Sequence, residues 1–242
     1  MGRCCRWLFV TVLSLFSAAG SAVELQHVRI AGESWPDYTA ADGSGLAWDI
    51  FRLVFEPAGV RVQIESVPYM RSIGLVQRGE ADAWVGSYLN EVDQHVIYPR
   101  WHYDADKIVA LGLKGAPSPS VDTLGQFRLA WVRGYEYQRY LPNVRHYREV
   151  MRRDGILRML DLNHADFYLD AQTEVNDVLE TSADRSRYRV TPLTTLPLYL
   201  GFADNARGRA LAELFDKRMG EVVANGSLRP LFKHWQEPYP FD

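Results

Sequence analysis

Residues 73–86 read IGLVQRGEADAWVG, and residues 157–170 read LRMLDLNHADFYLD. Each stretch predicts an amphipathic helix, a short polar turn, the pair Ala-Asp, and then a strand. Ala81-Asp82 and Ala165-Asp166 fall in register, as do Val76 with Leu160 and Trp84 with Tyr168. One helix-turn-strand unit used in both halves predicts two similar α/β lobes, although two ordinary helix-strand units can match over so short a stretch. Two lobes leave a cleft between them, and a cleft is where a small molecule would bind.

Working outward, Val28–Ala31 predicts a first strand, and the turn-rich segment 32–44 follows. A helix begins near Leu46, with Ile50, Leu53 and Val54 on one face, and Pro57 and Gly59 end it. Arg61–Val67 alternates as a strand, and Pro68 turns the chain into the first repeat unit, whose strand is Ala83–Gly86. The order β-α-β-α-β is that of a parallel sheet with helices on its faces. Residues 87–106 predict irregular structure, Lys107–Leu113 a strand, and 115–120 a linker. The pattern then restarts with a strand at Arg128–Val132, a helix near Arg152–Leu162, a strand at Ala165–Leu169 and a later strand at Leu198–Phe202. In the tail, Leu211, Leu214, Phe215 and Val222 form one stripe, and Asn225-Gly226 ends that helix. Ser227 is placed to cap a last helix presenting Leu228, Leu231, Phe232 and Trp235.

The first 22 residues have the form of a secretory signal. Arg3 and Arg6 supply positive charge, Trp7 to Phe16 an apolar run, and Gly20-Ser21-Ala22 a cleavage site. That run is too short to span a bilayer, so a soluble, exported, periplasmic chain is expected. The two cysteines, Cys4 and Cys5, lie inside the signal, which leaves the mature chain with no disulfide and no cysteine metal site. The whole sequence has 27 basic and 30 acidic residues; without Arg3 and Arg6 the balance is 25 to 30, a net charge of −5. That charge excludes nucleic acid as a partner, because phosphate binding needs a basic surface.

Four segments, in order, resemble the family 3 periplasmic solute-binding proteins, whose best-known members bind polar amino acids for ABC importers. Gly45-Leu-Ala-Trp-Asp49 is similar to the family's Gly-Phe-x-x-Asp entry to the first helix, and Gly79-Glu80-Ala81-Asp82 to its Gly-x-x-Asp turn. Asp122-Thr-Leu-Gly125 with Leu129–Gly134 resembles its Asp-Leu-x-Gly and strand-Gly segment, and Gly226-Ser227-Leu228 through Trp235 resembles its terminal motif. The resemblance implies a two-lobed periplasmic-binding-protein fold of the α/β class, each lobe a mostly parallel sheet flanked by helices, joined by two hinge strands. It implies a first lobe of 23–111 plus 198–242 and a second of 112–197. The crossings would lie near Leu111–Leu113 and Leu196–Leu198. It implies a monomer that captures a small polar solute (an amino acid or a related amine or organic acid) for an inner-membrane ABC permease, or that reports to a membrane sensor.

Ligands of open parallel sheets sit beyond the carboxyl ends of the strands. That rule selects Trp35 and Tyr38, then Tyr69 and Arg71, then Ser87 and Tyr88, and in the second lobe Arg133, Gly134, Tyr135 and Asp170. Aromatic faces suit planar or cationic groups. A helix opened by Gly134-Tyr135 would offer N–H groups to an anion, with Arg71 or Arg133 as bidentate partners; a solvated surface suits either arginine as well. The family places an arginine for the ligand α-carboxylate after the third strand, where this chain has Asn90-Glu-Val-Asp93, so Asp93 stands in that column. Asp170 falls where the family has an acid for the α-ammonium, and it also suits the N-cap of a helix beginning near Gln172. No cofactor is implied. The six histidines show no metal-ligand spacing, and no nucleophile motif or phosphate loop is present, so an enzyme is not expected. A dehydratase-like enzyme of the same fold is the alternative, with Glu91 and Asp170 as an acid-base pair.

Overall fold

The computed structural model describes residues 25–242. The leader, its cleavage site and both cysteines lie outside the described residues. The first half runs β1 (His27–Gly32), α1 (Leu46–Phe55), β2 (Arg61–Ser66), α2 (Tyr69–Gln77), β3 (Ala83–Tyr88) and β4 (Val96–Ile97), and then β5 (Asp104–Leu113). The second half runs β6 (Arg128–Val132), β7 (His146–Val150), α3 (Ile156–Asp161), β8 (Phe167–Ala171) and α4 (Gln172–Glu180). The sixteen-residue β9 (Tyr188–Ala203), α5 (Ala206–Ala224) and α6 (Arg229–His234) complete the chain.

The strands follow the order β2-β1-β3-β9-β5-β8-β6-β7. β2, β1 and β3 are parallel, and so are β7, β6 and β8. The antiparallel pair β5 and β9 joins these two sets. β3 flanks β9 only from Leu198 onward, and β8 flanks β5 only from Ile108 to Gly112. Two parallel sheets therefore share one antiparallel ribbon, the architecture of a two-lobed α/β fold.

The repeated unit has the same local physics in both halves. Asp82 accepts the Arg29 backbone N–H at 2.8 Å and returns its own N–H to the Arg29 carbonyl. Asp166 does the same with Arg128, at 2.6 Å. Each aspartate thus pins the start of its lobe's first strand beside the strand it introduces. Val76 and Leu160 are buried beneath the respective helices, as are Trp84 and Tyr168 in the strands. α1 follows its apolar pattern, burying Leu46, Ile50, Phe51 and Val54.

Other expectations are corrected. Gly134-Tyr135 opens no α-helix; only a single 3₁₀ turn, Tyr137–Arg139, follows. Ser227 does not cap α6, because its hydroxyl is spent on the Asn225 side chain and the cap residue is Leu228. The helix expected at 152–162 is confined to Ile156–Asp161. The strand expected at 198–202 is only the end of β9, whose remainder contains Pro192 and Pro197. Those prolines are tolerated because β9 has β5 alone as a neighbour there, and an edge does not need their missing N–H groups.

Candidate functional site

The carboxyl ends of β1, β3, β6 and β8 converge with the start of β5 on a cavity of about 720 Å³. After β1 the chain makes a tight turn. The Thr39 hydroxyl donates to the Glu33 carbonyl and accepts the Trp35 N–H, which fixes the Trp35 ring over β3. There Gly86 has φ +92°, and a Cβ would lie 2.8 Å from that ring, so glycine is required both by the backbone and by the close approach. The Trp35 ring centroid is 6.4 Å from Tyr38 and 6.1 Å from Tyr69. Tyr69 opens α2, and the Glu33 carboxylate accepts its N–H at 3.3 Å.

Carboxylates stand beside these rings. Glu91 accepts from the Tyr69 hydroxyl at 2.7 Å, the Ser87 hydroxyl at 2.9 Å and the Tyr88 N–H at 3.2 Å. Burial still pushes its carboxyl up to about 7. Asp104 accepts from the Tyr38 hydroxyl and the Ala105 N–H, at 2.9 and 2.8 Å, and Asp106 accepts from the Tyr88 hydroxyl at 2.9 Å. Burial raises both to about 7; the charges of Asp104 and Asp170 add to the effect at Asp106. Each acid loses hydration that its hydrogen bonds do not fully replace.

The opposite wall is organised by Arg153. Its guanidinium reaches Asp170 at 2.9 Å, Glu174 at 3.0 Å and the Tyr135 hydroxyl at 2.6 Å. Asp170 is 1 % exposed and also accepts from the Tyr168 hydroxyl and the Ala171 N–H. Burial raises its pKa and the arginine opposes that shift. Asp170 is not the cap of α4; Ala171 holds that position without a side-chain bond. The walls meet where Tyr69 and Tyr135 pack edge to face at 6.3 Å, and where Tyr88 and Tyr137 bring their hydroxyls to 3.4 Å. Arg139 donates across to the Glu91 carbonyl at 3.1 Å.

Of the residues selected from sequence, Trp35, Tyr38, Tyr69, Tyr88, Tyr135 and Asp170 line this cavity together. Ser87 is buried behind the wall, holding Glu91. Arg71 and Arg133 are exposed and do not line it. Gly134 also lies off the lining; its N–H faces the Glu149 carboxylate at 3.4 Å, and a Cβ there would meet Met70 of the other lobe at 2.8 Å. The anion site expected at Gly134-Tyr135 therefore lacks both its helix and a free donor. Asp93 is exposed and away from the cavity.

Sequence reasoning did not select Asp104, Asp106, Tyr137, Glu174 or Arg153. The alternation Asp104-x-Asp106 at the start of a strand was the available signal for two of them, since it places both acids on one face. His102, two residues before Asp104, does not line the cavity and stacks on Phe241 at 4.7 Å. Among the described residues no group of metal-ligating side chains converges.

No protein-family model matches the chain, and no curated protein sequence matches it. Solved structures do. A substrate-binding protein of an amino acid ABC transporter shares 16 % identity with it, at TM-score 0.63, over 86 % of this chain and 98 % of that one. A histidine kinase sensor domain with similarity to periplasmic binding proteins shares 13 % identity at TM-score 0.67, over 88 % and 99 %. EhuB in complex with hydroxyectoine shares 21 % at TM-score 0.65, over 88 % and 89 %. The chain has the two-lobed fold of the periplasmic binding proteins, and its cavity lies between the lobes.

Proposed function

We propose that this protein is a receptor that captures a small polar solute between its lobes and acts by their closure, without chemistry on the ligand. The observation that carries the reading is the interlobe cavity, walled on both sides by side chains held in place by buried hydrogen bonds. A volume of about 720 Å³ suits a small molecule. The signal-like first 22 residues support export to the periplasm. The lobes expected at 23–111 with 198–242, and at 112–197, are redrawn in this reading with an earlier first crossing, because Ile108–Gly112 pair with β8 of the second lobe. The hinge belongs where β5 and β9 pair only with each other, around Asp104–Lys107 and Thr194–Pro197. A monomer delivering its ligand to an ABC permease fits the likeness to importer receptors. The likeness to a kinase sensor domain favours a second reading, in which the closed form signals to a membrane partner.

A thermal-shift screen of amino acids, amines and small organic acids tests the reading. A ligand that raises the melting temperature with saturable dependence on concentration is the expected result. A compound consumed during incubation would show an enzyme instead.

A further inference from the structure

We propose that the captured solute is a protonated organic amine that carries no carboxylate, held against the aromatic wall by Asp106 and its neighbouring acids. This rests on the solute-receptor reading and names the class of ligand. Charge on the cavity surface is the first observation. Nine of the residues lining it are acidic and one, Lys107, is basic, with its side chain exposed at the rim. A carboxylate entering this field meets like charge on several sides, whereas an ammonium group meets the sign it needs.

The lack of an arginine clamp is independent of that count. No arginine lines the cavity among the described residues. Arg153, the guanidinium behind the second wall, does not line the cavity and engages Asp170, Glu174 and Tyr135 with one contact from each of its nitrogens. The Gly134 N–H faces Glu149. What remains is the uncapped first turn of α4 at Gln172 and Thr173, and there Asp170, Glu174 and Asp177 surround an incoming carboxylate with like charge.

The third observation is what the site offers a cation. Asp106 accepts one hydrogen bond, from Tyr88 to its Oδ2, so its Oδ1 remains an acceptor for an N–H donor. Asp104 lies two residues away on the same face of β5, about 7 Å along the strand. Trp35, Tyr38, Tyr69 and Tyr135 present rings to the same space, and a cation gains from ring faces once water is displaced. The raised carboxyls of Asp104, Asp106 and Glu91 fit this arrangement, because a bound cation would supply the compensation that solvent no longer does.

Matched compounds differing by one carboxylate provide the test. The chain lacking its first 22 residues would be titrated calorimetrically with 1,4-diaminobutane against ornithine, agmatine against arginine, and tyramine against tyrosine. At least one amine should bind about a hundredfold or more tightly than its amino acid. Asp106→Asn, which keeps the Tyr88 hydrogen bond, should weaken that amine about tenfold or more while the ligand-free fold is retained. Asp104→Asn provides a second variant if the first does not fold. An amino acid that binds as tightly as its amine, or an amine indifferent to both substitutions, overturns the proposal and leaves the receptor reading intact. If none of the six compounds binds, and the wider screen finds only anions, the proposal fails alone. If that screen finds no ligand at all, both fail.

Discussion

The two lobes are alike where they are built and unlike where they face the cleft. Asp82 and Asp166 hold the first strand of their lobes through the same pair of backbone hydrogen bonds. A few residues further on, the first copy ends in Gly86-Ser87-Tyr88, supporting an aromatic wall, and the second ends in Asp170, buried against Arg153. A repeated turn therefore carries architecture, and the residues past each strand end carry recognition. The partners of the two turns differ as well. Asp82 is bridged by Arg207 from the distant α5, and Asp166 by Arg128, the residue whose N–H it already holds.

The contrast between the walls can be broken most severely at Asp170. Asp170→Ala removes one member of a buried ion pair and leaves Arg153 facing Glu174 alone, so urea denaturation should show a loss of about 3 kcal/mol. Gly86→Ala comes next. It adds a methyl at a left-handed backbone position against the Trp35 ring, and a loss of about 2 kcal/mol, with weakened ligand binding, is expected from denaturation and calorimetry. The two turns can then be compared directly. Asp82→Ala should cost about 2 kcal/mol and Asp166→Ala about 1 kcal/mol, because the Asp82 side chain is 8 % exposed and that of Asp166 26 %. Equal losses would mean that the turn alone, and not its surroundings, sets the energy.

A pH dependence is expected as well. The carboxyls of Glu91, Asp104, Asp106 and Glu174 are raised by burial to about 7, above their ordinary range. Asp170, also raised, and Glu237 add negative charge around them, while Arg153 opposes it at Glu174 and Lys107 does so at Glu237. The folded protein then binds more protons than the unfolded chain from about pH 4 to 7, and its stability falls as pH rises through that window. The melting temperature of the ligand-free protein should be higher at about pH 5.5 than at about pH 8. A saturating amine should narrow that difference by holding the acids ionised.

The lobes were legible in the sequence because the Ala-Asp turns and the stripes of α1, α2 and α5 encode burial locally. The length of β9 was not, since Pro192 and Pro197 read as strand breakers until the pairing shows them on an edge. Six of the ten selected site residues line the cavity, since the strand-end rule is topological and follows from element order. Arg71 and Arg133 fell outside because chain position gives no direction for a long side chain. Asp93 is exposed outside the cavity, while Glu91 of the same loop lines it. Arg153 lies in an irregular segment, and its link to Asp170 across 17 positions has no local signature.

The shared ribbon also sets an order of assembly. The second lobe is drawn from one unbroken stretch of chain and can finish its sheet as soon as the start of β9 is in place. The first lobe cannot, because the neighbour of β3 is the far end of β9, and Asp49 of α1 waits for the indole of Trp235. The half that leaves the ribosome first is thus the half completed last. Until then it carries an unfilled sheet edge, and the span when a chaperone or protease can act on it is set by the arrival of the final segment.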